Sequence, residues 1–182
     1  MWPAADTALW TEMLSTVTEF SIGLAGFFGV AAALMQRSGS VSDFDRFRIT
    51  ANIGISLLPG FVAFLAISLI GAGLEPTEIV WIGSGFLVLF ECSKLIQMLF
   101  LRNRFGGSDR FTPVSLAIMV IATVINLPLQ LYNMIALPSA AFGVFVAGLA
   151  LVLLTGAANF AGLVWQMLGY ETSPTAPGDQ YP

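Results

Sequence analysis

The chain has no histidine, a single cysteine (Cys92) and only 10% charged residues. Each shortage excludes something. Without histidine there is no imidazole base for a serine or cysteine nucleophile, and no histidine-ligated metal or haem. One cysteine cannot build a disulfide framework within the chain. Soluble domains carry about 25% charged residues, so the polar surface of a water-soluble globule is missing. Seven basic residues stand against eleven acidic ones, a net charge of −4. That balance argues against nucleic acid, which is held through clustered cations. No glycine-rich phosphate loop and no pair of intramembrane aspartates occurs. Ser93 beside Lys94 makes no dyad, because adjacent helix residues point about 100° apart. An enzyme is therefore not expected, and no catalytic residue, cofactor or metal site is assigned.

What is plentiful is apolar surface. Hydrophobic residues make up 57% of the 182 positions, and mean hydropathy is +0.85. Five apolar stretches, at about 14–35, 49–72, 79–100, 114–134 and 140–168, each reach the roughly 20 residues that cross a bilayer as a helix. Barrel strands would be shorter and would alternate. The expected fold is an all-α integral membrane protein with five transmembrane helices in one domain, residues 1–170. The proline-rich end 171–182 reads as a polar disordered tail. The lipid bilayer is the first partner implied.

The punctuation agrees. Ser42-Asp43-Phe44-Asp45 resembles a capping box and starts the second helix near Asp43. Thr112-Pro113 reads as a cap followed by a first helical residue. Gly71–Thr77 and Pro138-Ser139 mark turns. Arg37, Arg46 and Arg48 surround the first connection, and Arg102, Arg104 and Arg110 surround the third. The positive-inside rule places both in the cytoplasm, with the N-terminus outside and the C-terminus cytoplasmic. The first thirty residues lack a basic start and are interrupted by Glu19, unlike a cleavable signal peptide.

Polar residues inside the stretches carry the functional signal. Glu19, Gly23 and Gly26 fall on one stripe of the first helix, with Gly29 close by. Small residues there allow a neighbouring backbone to approach closely. The stripe reads as a packing seam, or, with Glu19 near its outer end, as an ion or proton site. Glu91 and Lys94 lie three residues apart in the third stretch, within reach on one helix face. Charges at this depth are costly unless paired, wet or snorkelling, so the two are a structural ion pair or an ion-coupling site. The fourth stretch carries Thr123, Asn126, Gln130 and Asn133 as a polar stripe, with Pro128 breaking the backbone ladder inside it. Such a stripe suits a pore wall, and equally suits amide bonding between helices. Thr155, Asn159, Gly162 and Gln166 repeat the idea in the fifth, and Pro59-Gly60 interrupt the second.

The segment Glu19-Phe20-Ser21-Ile22-Gly23-Leu24-Ala25-Gly26-Phe27-Phe28-Gly29, followed by Arg46-Phe47-Arg48 and Ser56-Leu57-Leu58-Pro59, resembles a group of uncharacterised small multi-pass bacterial membrane proteins. Those proteins share an acid ahead of G-x-A-G-F-x-G, then R-F-R at the second helix. The resemblance implies the bacterial inner membrane and no particular chemistry. Two functions stay open. One is an oligomeric channel or transporter for an ion or small solute, with Glu91, Lys94, Asn126 and Gln130 lining a hydrated path. The other is a non-transporting scaffold or accessory subunit, bound to copies of itself or to other membrane subunits. A water-accessible route past Glu91 favours the first; a dry, fully paired Glu91 favours the second.

Overall fold

The computed structural model describes residues 4–37, 43–105, 113–136 and 141–167, and these are helical apart from one turn. The helices are α1 (Ala4–Arg37), α2 (Asp43–Gly71), α3 (Pro76–Phe105), α4 (Pro113–Ala136) and α5 (Ala141–Met167). All five are long and apolar enough to cross a membrane. The architecture is thus compatible with a multi-pass helical membrane protein. The helix starts follow the local chemistry: α2 at Asp43, and α3 and α4 each at a proline, which needs no hydrogen-bond partner in the first turn.

The turn between α2 and α3 is built in detail. Gly73 takes φ +81°, a left-handed conformation open to glycine at low cost. Its N–H donates to Ile70 O at 3.0 Å, and that of Leu74 donates to Leu69 O at 3.1 Å. These two bonds make a Schellman cap. Glu75 N–H then donates to the Glu78 carboxylate at 3.1 Å, the reciprocal half of a capping box at the start of α3.

α5 is the hub. It packs against each of the other four helices, while α1 lies mainly on α2. Phe145, Leu149, Val152 and Leu163 of α5 are fully buried, alongside Leu14, Phe28, Val62, Ile79 and Leu87 from its neighbours. Two rings tie the start of α1 to the start of α5: Trp10 stacks on Phe142 with centroids 3.6 Å apart. Large side chains such as Phe20, Phe27, Phe61, Phe64, Leu89, Val124 and Ile135 point outward, which suits lipid and not water.

The close helix contacts are not where the first-helix stripe suggests. A Cβ added at Gly23, Gly26 or Gly29 would meet no atom within 4 Å. Within the chain these glycines are not a packing seam; they face away from the bundle. The tight approaches occur elsewhere. At Gly60 a Cβ would lie 2.7 Å from Ser21 Cβ, and at Gly83 it would lie 2.5 Å from the Phe145 ring. Gly156 sits against Leu24 and Ser56, and Gly148 against Gln130 and Asn126.

Candidate functional site

The α3, α4 and α5 helices enclose a continuous polar network. Glu91 lies on α3 and is 1% exposed. Its Oε1 accepts from Asn126 Nδ2 at 3.0 Å, and its Oε2 accepts from Thr123 Oγ1 at 2.8 Å. Lys94, one turn along α3, places Nζ 2.6 Å from the same Oε2. This is a charge contact without hydrogen-bond alignment, and no other acceptor meets the ammonium. Its remaining neighbour is the Phe90 ring, 5.2 Å from the nitrogen, a cation–π arrangement.

From Asn126 the network runs along α4. Gln130 Nε2 donates to Asn126 Oδ1 at 3.1 Å, and Ser84 Oγ donates to Gln130 Oε1 at 2.8 Å. Asn133 Nδ2 lies 3.4 Å from Ser84 Oγ. Three bonds fasten this ladder to α5 main chain: Asn126 to Gly148 O (3.4 Å), Gln130 to Val144 O (3.1 Å) and Asn133 to Ala141 O (2.9 Å). Gly148 has no side chain because the Gln130 and Asn126 amides occupy that space. Ser84, Glu91, Lys94, Thr123, Asn126, Gln130 and Asn133 are all at most 5% exposed. From Ser84 to Lys94 the network spans ten residues, or about 15 Å of helix, half the thickness of a hydrocarbon core.

Six of the polar residues singled out from the sequence therefore meet: Glu91, Lys94, Thr123, Asn126, Gln130 and Asn133. Ser84 was not singled out. It stands seven residues before Glu91, two helical turns back on the same face, and that spacing is the signal that finds it. Pro128 belongs to the opposite side of α4 and is exposed, so the backbone break faces away from this network. The fifth-helix residues also separate. Thr155 Oγ1 turns back onto Leu151 O of its own helix, at 2.9 Å. Asn159 Nδ2 donates to Asn52 Oδ1 on α2 at 3.0 Å. The side chain of Gln166 lies outside the described residues, as do the 38–42 and 106–112 connections, the Pro138-Ser139 turn and the 168–182 tail.

Glu19 stands apart. Expected near the outer membrane interface, it stands near the middle of the candidate span Thr7–Leu34, because α1 extends back to Ala4. Two neighbours fix the depth. Ser21, two residues on, packs against Gly60, the midpoint of the α2 span Ile49–Gly71. Glu19 also shares a groove with Leu153, the midpoint of the α5 span Ala141–Trp165. Glu19 is therefore level with the middle of the candidate spans, and it is exposed on the outside of the bundle.

No group of three or more potential metal ligands occurs among the described residues. Cys92 and Ser93 both face outward, and Ser93 Oγ accepts from Gln97 Nε2 at 3.4 Å. The network thus offers directional bonds between three helices and no aligned nucleophile. Comparison with family models, curated proteins and solved structures finds no match for this chain.

Proposed function

We propose that this protein is a non-transporting structural subunit of a membrane assembly, in which α3, α4 and α5 form a rigid half and α1 offers a surface to other membrane helices. One observation supports this reading above the channel alternative: Glu91 is buried, and both its oxygens are engaged by side chains of the same chain. A conducting site has to exchange its protein ligands for water or an ion at low cost. Here Thr123, Asn126 and Lys94 already engage both carboxylate oxygens. Gln130 in turn uses its amide fully on Ser84, Asn126 and Val144. Buried polar groups satisfied in this way fix a unique helix register.

The setting is the bacterial inner membrane, with the N-terminus outside and the ends of α1 and α3 that carry arginines in the cytoplasm. The protein performs no catalysis. The test is reconstitution of the purified full chain into liposomes, with proton and monovalent-cation flux read by entrapped dyes. Leakage equal to that of empty vesicles supports the structural reading. A specific flux that disappears in the double variant Glu91→Leu, Lys94→Leu, folded by circular dichroism, would establish the transport path instead.

A further inference from the structure

The exposed carboxylate of Glu19 lies in a groove of about 570 Å³ between α1 and α5, walled by Glu19, Gly23 and Phe27 on one side and Leu153, Leu154 and Ala157 on the other. Its depth can be checked independently. Trp10, stacked on Phe142 at the start of α5, is nine residues before Glu19, or about 14 Å along the helix. A hydrocarbon core is about 30 Å thick, so the carboxylate is far from either interface. Among the described residues no donor reaches it, and it is in no ion pair. A carboxylate facing acyl chains at mid-depth is expensive, and such groups normally face protein or a water-filled cavity. The face around it is shaped for a close neighbour: Gly23 and Gly26 leave open space where side chains would stand, and small residues allow two helix backbones to approach.

We infer that this groove docks a transmembrane helix of another protein that carries one basic side chain at mid-depth. Charge complementarity selects the occupant. Within the five spans of this chain the only basic residue is Lys94, and it is committed to Glu91; the arginines all lie outside the spans. A second copy therefore has no free cation to bring. Two α1 faces meeting about a two-fold axis would set Glu19 close to its own counterpart, which is unfavourable at this depth. A foreign helix with a lysine or arginine at the matching level removes the penalty on both charges at once.

This inference rests on the subunit reading above, but the two fail separately. The probe is a synthetic leucine–alanine transmembrane peptide with one central lysine, compared with the same peptide bearing a central leucine. Association with the full-length protein in liposomes is read by energy transfer from a dye at an added terminal cysteine in a Cys92→Ser background. The lysine peptide should bind about tenfold more tightly than the leucine peptide, the scale of one interhelical polar contact at its stronger end. Glu19→Gln should erase the difference. Glu19→Lys should reverse it, so that a peptide with a central glutamate binds best. Glu19 is on the bundle surface, so these variants should keep the parent helix content. Equal binding of the lysine and leucine peptides would overturn the docking site. So would efficient cross-linking of a Gly23→Cys variant to its own copy without peptide, because it would show that a second copy fills the groove. Specific flux would defeat the subunit reading while leaving the peptide comparison to stand or fall by itself.

Discussion

Removing one member of the Glu91–Lys94 pair should not be equivalent to removing the other. Glu91 has three partners: the Lys94 ammonium at 2.6 Å, Thr123 at 2.8 Å and Asn126 at 3.0 Å. Lys94 has one carboxylate oxygen and the face of Phe90. Replacing Glu91 by leucine strands a buried cation and deprives two buried donors of their acceptor. Loss of one partner of a buried pair costs about 3–5 kcal/mol. Escape of the lysine stem toward the arginine-bearing end of α3 lowers the figure to about 3. Replacing Lys94 by methionine leaves the carboxylate with two hydrogen bonds, and the loss should fall to about 1–2 kcal/mol.

The double replacement removes both charges. Thr123 can then turn its hydroxyl onto its own helix, as Thr155 already does. Asn126 keeps Gly148 O as an acceptor. The double variant should lie within about 1 kcal/mol of the parent, since apolar substitution of a whole buried pair is often near neutral. The assay is reversible unfolding in mixed micelles, following helix content against denaturing detergent for the parent, both single variants and the double. Equal losses for Glu91→Leu and Lys94→Met would refute the partner asymmetry. A double variant whose loss equals the sum of the singles would refute the pair itself.

The glycines offer a direct contrast. Gly60→Ala should destabilise by about 1–3 kcal/mol through overpacking against Ser21, whereas Gly26→Ala should leave the isolated chain unchanged or up to about 1 kcal/mol more stable through helix propensity; the same unfolding assay reads both. Gln130→Leu breaks bonds to Ser84, Asn126 and Val144 at once and should cost about 2–3 kcal/mol, while Asn159→Leu, losing a single half-buried bond, should cost less than about 1. Reporter fusions at Pro76 and after Gly107 should give opposite locations, outside and cytoplasmic; the same side for both would remove the five-span topology.

Helix number, type and most boundaries were legible because apolar length and turn residues decide them locally. The turn at Gly73 and the proline start of α4 are examples in which one residue's backbone chemistry settles the point, whereas Pro76, read as part of the turn, opens α3. The first helix was less legible. Residues 4–13 contain Asp6, Thr7, Thr11 and Glu12, polar enough to resemble a tail, yet they continue α1 because Trp10 gains a stacking partner on Phe142. That extension puts Glu19, expected near an interface, close to the middle of the candidate span Thr7–Leu34. The small-residue stripe was legible only in part. Sequence shows which face can be approached closely, but not whether this chain supplies the approaching helix. In the third and fourth helices the polar periodicity was legible. The tertiary pairing of Asn126, Gln130 and Asn133 with main-chain carbonyls of α5 was not, because a carbonyl leaves no mark in composition.

Two carboxylates at similar depth meet opposite conditions, and the contrast narrows what each can do. Glu91 is reached by α4 donors because Thr123 and Asn126 are three residues apart and share its face. Its charge is balanced one turn along its own helix by Lys94. Glu19 has no such complement: α5 presents leucine and alanine across the groove, and the residue one turn on is Gly23. If Glu19 served the folding of this chain, its neighbours would carry donors; they carry open space instead. The stability of the isolated chain should therefore be insensitive to Glu19→Leu, and may be read against Glu91→Leu in the same micelles. A loss for Glu19→Leu as large as that for Glu91→Leu would mean that this carboxylate is satisfied within the chain, and the argument for an external basic helix would collapse.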